Sequence, residues 1–488
     1  MKKNNTLNFY KSSILVAAFA MGFGFTSCDN DDDLVFSGKP VANAELRAFL
    51  QGKGYQFNDA GNLLMDAKVA ATDSLDLTGT KISDLKDLVL FPNLKYVDLS
   101  DNGYGPVYDF ANLPQNIQGV DLTGNEIYDF EGLVKSELPE EGGDPVITVL
   151  HDLKSLYLPN TMKENFDDMI PYYTVNKEAI NKGTMDVKMA DEKGNLNVYT
   201  TLRNIPDANL VEYFKHEFPE VMVGDQIDMD AHLSLDYVTK ALSVSAVGTG
   251  DVYEIDVLDF EGVQYFANNP NWNGTVVSLT GLANADYSPK SVMPKFPIKE
   301  SVTSAFFTFV SGEIDFTKAS GLTGLMVTAN NGLTEIDMTG ATLWGTRDQA
   351  IELSMSSASQ FMIAMCPELE KITMPKAKDL KCFYYTVEVC PKLKEVDMSN
   401  LGMTGYGIIL AELGDNCKLT YPTDFKLYEK DGNMETLFAC STNVWDVQST
   451  KDFLDKHYTK IADPNKRIRK GYTMNSMDDF DWESELSK

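Results

Sequence analysis

The 488-residue chain has few of the residues from which catalytic and metal sites are usually built. It contains only four His, six Cys and four Trp. The His residues are scattered and no two Cys form a C-x-x-C pair, so the sequence predicts no zinc site. It also has no G-x-S-x-G, H-E-x-x-H or P-loop motif, and no G-x-G-x-x-G after a predicted strand. We therefore expect a protein that is not an enzyme and needs neither a cofactor nor a metal.

Positive charge is also scarce. The chain has 42 Lys and Arg against 72 Asp and Glu, which gives a formal net charge of −30. Binding to nucleic acid or to an anionic membrane surface depends on Lys and Arg, so the composition argues against both. The excess of carboxylates favours solubility and is compatible with a basic partner or a divalent cation.

The apolar run at the N terminus is too short to span a bilayer. Lys2 and Lys3 give a positive start to the chain, and the apolar run Ser13–Phe25 is shorter than the roughly 20 residues that a spanning helix needs. The run ends at Cys28, and a small residue stands directly before it. This arrangement resembles the lipobox, the cleavage and lipidation site of bacterial lipoproteins. The resemblance implies that residues 1–27 are a lipoprotein signal peptide and that Cys28 carries the lipid.

An acidic run, Asp29-Asn-Asp-Asp-Asp33, directly follows Cys28. It resembles the signal that sends Bacteroidota lipoproteins to the outer leaflet of the outer membrane; a solvated linker is the alternative. Two or three acyl chains on Cys28 are enough for stable anchoring. We therefore expect a protein anchored in the outer membrane and exposed at the cell surface, with residues 28–40 as an acidic tether.

One apolar pattern recurs through the rest of the chain. Leu94, Val97 and Leu99 have the spacing L-x-x-L-x-L, and Asn102 follows three residues later. Such a leucine-rich unit is a short strand and a turn, whose Asn can bond the backbone of neighbouring coils. Copies of the triplet lie at Ile117/Val120/Leu122, Leu153/Leu156/Leu158, Leu333/Ile336/Met338, Leu369/Ile372/Met374 and Leu393/Val396/Met398. The pattern predicts an α/β fold of leucine-rich-repeat solenoids with a parallel concave sheet.

The copies fall into two groups, and each group follows a segment with the apolar spacing of a short helix. These segments are Val41–Leu50 and Ile205–Phe214. A helix at this place shields the first coil of a repeat stack. We therefore predict two tandem modules. The predicted boundaries are 41–160 for the first module, 161–200 for an inter-module segment, 201–420 for the second module and 421–488 for a C-terminal cap and acidic tail.

Some units resemble those of bacterial surface proteins. Ile205-Pro-Asp-Ala-Asn-Leu210, with Leu258-Asp-Phe-Glu-Gly-Val263 after it, looks like the opening unit of internalin-like proteins. The segments that begin Cys366-Pro-Glu-Leu and Cys390-Pro-Lys-Leu are similar to the repeat of BspA-like proteins. The resemblance implies protein or glycan binding at a bacterial surface, commonly in adhesion, and carries over no catalytic residue. The two cysteines share one repeat position, and we predict free, buried thiols.

The residue between the last two apolar positions of a repeat is regularly an aspartate. Residues at this position alternate with buried ones and face solvent on the concave surface. The set comprises Asp76, Asp98, Asp121, Asp256, Asp315, Asp337 and Asp397. One interpretation is solvated carboxylates that bond the Ser and Thr beside them. The other is an acidic face that binds a basic partner, or Ca²⁺ through paired carboxylates.

The sequence thus predicts a lipid-anchored surface protein that binds a macromolecular partner through its repeats, as in adhesion or host-protein interaction. One alternative is a glycan-capturing lipoprotein of a nutrient-uptake system, for which Tyr96 and Tyr157 are the only aromatic candidates on the concave face. The other is a structural envelope protein without a soluble ligand. A cluster at Asp225, Asp228 and Asp230 lacks the Gly and terminal Glu of an EF-hand loop.

Overall fold

The structure is a computed structural model. It describes residues 37–137, 146–246, 254–344, 360–430, 433–434, 436–458 and 467–474. The predicted signal peptide, Cys28, the acidic run after it and the acidic tail at 478–483 lie outside the described residues.

The N-terminal part of the described chain is built from short strands and three α-helices. In chain order these are β1 (Gly38–Lys39), α1 (Ala44–Gly52), β2 (Leu63–Leu64), α2 (Ala67–Ala71), β3 (Ser74–Asp76), β4 (Tyr96–Asp98), β5 (Val107–Asp109), β6 (Gly119–Asp121), β7 (Asp129–Glu131), β8 (Val134–Glu137), β9 (Val146–Val149), β10 (Ser155–Leu158), α3 (Met169–Asn181), β11 (Asp186–Ala190) and β12 (Leu196–Val198). Short 3₁₀-helices cover Lys86–Leu90, Phe110–Asn112 and Asn160–Glu164.

Six of these strands form the first sheet, in the order β12-β11-β10-β6-β4-β3. All pairs are parallel except β11 with the edge strand β12. Leu75, Val97 and Val120 pair in register, and all three are buried in the core beneath the sheet. Alternate residues of a strand point to opposite faces, so the residues between them lie on the other side of the sheet, which we call the outer face.

Asparagines join the turns that follow these strands. Asn102 is buried, and its Nδ2 donates to the Leu77 carbonyl at 3.1 Å. Its backbone N–H donates to Oδ1 of Asn125, which is also buried, at 3.0 Å. The Asn125 Nδ2 in turn donates to the Leu99 carbonyl at 3.0 Å. The predicted role of Asn102, bonding the backbone of neighbouring turns, is confirmed.

The C-terminal part is richer in strands. Its elements are β13 (Leu202–Asn204), α4 (Ala208–Glu217), β14 (Met222–Val223), β15 (Gln226–Asp228), α5 (Leu235–Val238), β16 (Leu242–Ser245), α6 (Val263–Ala267), β17 (Val276–Thr280), β18 (Ser291–Val292), β19 (Phe296–Pro297), β20 (Ser304–Thr308), β21 (Val310–Ser311), β22 (Ile314–Asp315), β23 (Gly324–Thr328), β24 (Glu335–Asp337), β25 (Phe361–Ala364), β26 (Lys371–Thr373), β27 (Leu380–Cys390), β28 (Glu395–Asp397), β29 (Leu401–Leu413), β30 (Lys418–Thr420), β31 (Lys426–Leu427), β32 (Glu429–Lys430), β33 (Asn433–Met434), β34 (Leu437–Cys440), α7 (Thr442–Asp446), α8 (Gln448–His457) and β35 (Ile468–Lys470). A 3₁₀-helix covers Pro219–Val221.

Ten of these strands form the second sheet, in the order β16-β17-β20-β23-β25-β27-β29-β34-β35, with β31 also paired to β29. Every pair in it is parallel. The chain is therefore an α/β protein with a large parallel sheet and few helices. Beside this sheet run short parallel pairs, β19 with β22, β24 with β26 and β28 with β30.

These short pairs correct the predicted position of the repeat strands. The apolar triplets at 333–338, 369–374 and 393–398 form β24, β26 and β28, and so lie outside the second sheet. Its strands come from segments that the repeat pattern did not mark, such as β23 and β25. In each case the second-sheet strand precedes the short one, as Val387 of β27 precedes Val396 of β28. The leucine spacing therefore predicted only the second of the two strands in each of these repeats.

The described residues have two main hydrophobic cores. The first core extends from Val41 to Tyr199, and the second from Ile205 to Tyr458 with Ile170 added. The packing therefore differs from the predicted boundaries. Residues 161–200 belong mainly to the first core, because α3 buries apolar side chains there and β11 extends the first sheet. Likewise β34 and β35, within the predicted cap, continue the second sheet.

Both predicted opening helices are present. Asn43 caps α1 by accepting from the Leu46 N–H at 2.8 Å, and Asp207 caps α4 through the N–H of Asn209 at 2.8 Å. Capping of this kind satisfies backbone donors that the first helical turn leaves free. Helix α8 lies within the segment 445–461, where the sequence predicts a helix.

No helix in the described ranges combines the length and the apolar character needed to cross a membrane.

Candidate functional site

The first sheet brings three of the predicted aspartates side by side. Asp76 pairs in register with Asp98, and Asp98 with Asp121. The next strand continues the line with Tyr157, which pairs with Lys188 of β11. These five side chains form a row across the outer face, which we call the central row.

Local hydrogen bonds orient the carboxylates of the central row. Oδ1 of each aspartate accepts from the backbone N–H two residues later, at 3.0 Å for Asp76 and Asp98 and at 2.9 Å for Asp121. The hydroxyls of Ser100 and Thr123 donate to Asp98 and Asp121 at 2.6 Å. The hydrogen bonds from Ser100 and Thr123 agree with the first interpretation of the aspartates, in which each carboxylate bonds the hydroxyl group beside it.

Asp121 is the most enclosed member of the row, with 6% of its surface exposed. Burial raises the pKa of its carboxyl group; the hydrogen bonds from Thr123 lower it, and the neighbouring charges of Asp98 and Asp101 raise it further. Its other oxygen, Oδ2, accepts no hydrogen bond from any residue that the structure describes. The row therefore has an acceptor near its centre that a ligand could use.

Tyr157, between Asp121 and Lys188 in the row, is held in place by its neighbours. Its hydroxyl donates to Oδ2 of Asp186 at 2.7 Å, and Lys188 contacts the same oxygen at 2.9 Å. The Lys188 ammonium also lies 5.3 Å from the centre of the Tyr157 ring, a cation–π distance. Asp186 and Lys188 thus neutralise one another and fix the half-buried ring.

Tyr96 lies in the neighbouring row, beside Gly119. A Cβ atom at position 119 would stand 2.3 Å from both the Tyr96 ring and the Ser155 hydroxyl. Only glycine leaves room there for the tyrosine to lie across the sheet. Both predicted aromatic candidates are therefore on the outer face, and both are half-buried.

The other four predicted aspartates are placed differently. Asp315, Asp337 and Asp397 lie in short strands and pair with Pro297, Thr373 and Thr420 rather than with one another. Asp256 lies outside the strands. The seven residues therefore do not form one continuous face, because the repeat triplets of the C-terminal part lie outside its main sheet. A binding role for each of them stays a prediction.

Lysines pair with glutamates beside these short strands. Lys371 lies 2.5 Å from Glu335, and Lys418 lies 2.5 Å from Glu395. Two further pairs join Lys392 to Glu368 and Lys394 to Glu370. Each pair links residues 23 to 36 positions apart in the chain. This side of the protein is therefore not uniformly acidic.

The remaining candidates are already engaged. Asp225 pairs with Lys215 at 2.9 Å, and Asp230 accepts from the Thr174 hydroxyl at 3.2 Å. Within the described ranges, no three His, Cys, Asp or Glu side chains come together to hold a metal ion. Cys366 and Cys390 are buried with free thiols, as predicted, and they interact with each other.

Asp186 and Lys188 lie in the predicted inter-module segment, so the repeat pattern did not mark them as functional residues. The signal was present: Val187, between them, is buried, whereas both charged residues are partly exposed. This alternation is typical of a strand with one buried face.

A scan against protein-family models finds no match for this chain, and searches of curated proteins and of solved structures find none either. The resemblance to internalin-like and BspA-like proteins therefore stays a prediction based on the repeat units.

Proposed function

We propose that this protein is a lipid-anchored leucine-rich-repeat protein of the bacterial cell surface, which binds a basic protein partner through the outer face of the first sheet. The central row is the observation that carries the proposal. It aligns three carboxylates in register beside two half-buried tyrosines on a sheet face opposite the core. No catalytic step is part of the proposed function.

The repeat architecture is supported by spacing and register. Strands β3, β4 and β6 begin 22 and 23 residues apart and pair in parallel without a shift. The buried asparagines join successive turns in the way that leucine-rich coils require. Helices α1 and α4 lie where two tandem solenoid modules would each need a cover for the first coil.

The charge of the central row favours a basic partner. Its cation, Lys188, is already paired with Asp186, so the carboxylates of Asp98 and Asp121 have no neutralising neighbour within the row. Charges on adjacent strands, ~4.8 Å apart, repel by about 1 kcal/mol in water and by more near a protein surface. An arginine or lysine from a partner relieves this repulsion, and the guanidinium group also stacks on aromatic rings.

Surface location is tested by treating intact cells with protease and probing for the mature protein. Removal of the protein from intact cells is the expected result, since the acidic run after Cys28 resembles a surface-export signal. Survival until the outer membrane is broken would overturn the surface location and leave a periplasmic role.

Binding is tested with a decalysine peptide at about 0.15 M salt, where long-range charge effects are screened. Asp98→Asn combined with Asp121→Asn removes two charges from the row and should weaken binding at least about fivefold. The matched control is Asp59→Asn with Glu192→Gln, which removes two exposed charges elsewhere. Equal weakening in both double variants would mean that net charge, and not the row, binds the peptide. No binding at all would favour a structural envelope protein.

A further inference from the structure

A cleft of about 740 Å³ lies between the first and second cores. Tyr128, Asp129 and Thr161 line it from the first side. Gln264 and Asn268, in and just after α6, line it from the second side together with Lys295. Its volume lies within the roughly 300–1,000 Å³ typical of small-ligand sites.

Contacts between the two sides hold the walls of the cleft together. Lys163 forms an ion pair with Glu261 at 2.9 Å, and both side chains are less than a third exposed. The Arg203 guanidinium donates to the Lys163 carbonyl at 2.9 Å. Lys318 forms an ion pair with Asp167 across the cleft. A ligand would therefore meet walls that are already in position, which lowers the entropic cost of binding.

An aromatic ring stands at the rim of the cleft. Tyr128 is 51% exposed, although tyrosines usually bury most of their ring. Its hydroxyl donates to Glu126 at 3.2 Å, which restrains the side chain. The ring thus offers an apolar surface beside polar groups, which suits a ligand with both apolar and hydroxyl-bearing faces.

Two of the four carboxyl groups that line the cleft lie beside its two lysines, and a third, Asp129, accepts hydrogen bonds from the Phe130 N–H and the Asn165 side chain. Lys318 pairs with Asp167, and Lys295 lies 4.0 Å from Asp315. Burial raises the pKa of Glu164, so its negative charge is disfavoured there. A strongly anionic ligand would meet these carboxylates, and a cationic one would meet the lysines. The lining is therefore best matched by a neutral ligand whose hydroxyl groups both donate and accept hydrogen bonds.

We infer that the cleft binds a neutral carbohydrate, with the Tyr128 ring stacking against a sugar and Asn268 and Lys295 bonding its hydroxyl groups. This site is separate from the central row and does not depend on the partner proposed for it.

The test is affinity gel electrophoresis of the mature protein in gels that contain starch, dextran, xylan, mannan or β-glucan. At least one of these neutral polysaccharides should retard the protein. Calorimetry with oligosaccharides from that polymer should show that Tyr128→Ala weakens binding at least about tenfold. Tyr128→Phe keeps the ring and should stay within about threefold of the unmodified protein.

The control is Tyr287→Ala, which removes a ring that is 66% exposed and does not line the cleft. It should leave binding unchanged. Failure of all five polysaccharides to retard the protein would overturn the inference. So would equal binding by Tyr128→Ala, or loss of binding on Tyr157→Ala instead, which would place the sugar on the first sheet.

Discussion

Asp129 and Asp168 share the same two hydrogen-bond donors. The Phe130 N–H donates to Asp129 at 3.0 Å and to Asp168 at 3.2 Å, and the Asn165 Nδ2 donates to the same two oxygens at 3.0 and 3.2 Å. Two carboxyl groups this close do not both ionise readily. Burial, followed by the hydrogen bond with Asp129, raises the pKa of Asp168 to about 7.

This pair predicts a pH-dependent stability. The folded protein holds a proton on Asp168 that the unfolded chain releases at its ordinary pKa of 3.8. The contribution of this group to the free energy of unfolding is therefore largest in acid, and it falls as pH rises from about 4 to about 7, by at most about 1.4 kcal/mol per unit. Asp168→Asn should raise stability at about pH 8 and flatten this dependence.

Urea unfolding of the unmodified protein and of Asp168→Asn, across this pH range, checks the prediction. Asp236→Asn is the control, because Asp236 is exposed. Glu388, whose pKa burial also raises to about 7, contributes with the same sign in every variant. Parallel pH curves for Asp168→Asn and the unmodified protein would contradict the raised pKa of Asp168.

Removal of a buried asparagine should loosen the first sheet. In Asn102→Ala the Lys81 N–H loses its acceptor, the Oδ1 of Asn102 at 2.6 Å, and the Leu77 carbonyl loses the side-chain donor that it has at 3.1 Å. Burying polar groups without partners costs about 1–3 kcal/mol, so the free energy of unfolding should fall by that amount. Chemical unfolding measures it, with the exposed Asn197→Ala as a control that should change stability by less than about 0.5 kcal/mol. If Asn102→Ala and Asn197→Ala lower the free energy of unfolding equally, Asn102 has no special role in the first sheet.

Gly119→Ala should disturb the outer face itself. The new Cβ atom would overlap the Tyr96 ring, so the ring must move, at a cost of about 1–3 kcal/mol for an overpacked site. Gly52→Ala is the matched control, because nothing lies within 4 Å of a Cβ at that helical position. It should be neutral or stabilising by up to about 1 kcal/mol. Thermal unfolding compares the stability of the two variants. If Gly119→Ala is as stable as the unmodified protein, Tyr96 does not pack against position 119.

Local patterns predicted β3, β4 and β6, because in each strand an apolar residue that faces the core is followed by an aspartate on the opposite face. Val97 and Val120 lie on the buried face of their strands, and the aspartate after each lies on the other. Such alternation is readable without knowledge of neighbouring strands. The positions of α1 and α4 were predicted for the same reason, since cap and apolar spacing are local.

The second sheet was harder to predict, because its strands do not share a common spacing of apolar residues. Strand β29 buries residues on both faces: the adjacent Ile409 and Leu410 are both buried and belong to different hydrophobic clusters. In a strand that is covered on both sides, apolar and polar residues do not alternate. The regular leucine spacing therefore predicted the short strands beside the second sheet and not the strands of the sheet itself.

The sequence by itself determined that short parallel strands recur, where two helices begin, that Asn102 bonds the neighbouring turn, and that acidic residues follow the buried ones. Only the tertiary structure decided which carboxylates are neighbours. Asp98 and Asp121 meet in register, whereas Asp337 and Asp397 pair with threonines, because strand order depends on contacts between residues far apart in the chain. The cleft beside Tyr128 lies where residues of the two cores come together, and no local pattern contains that information.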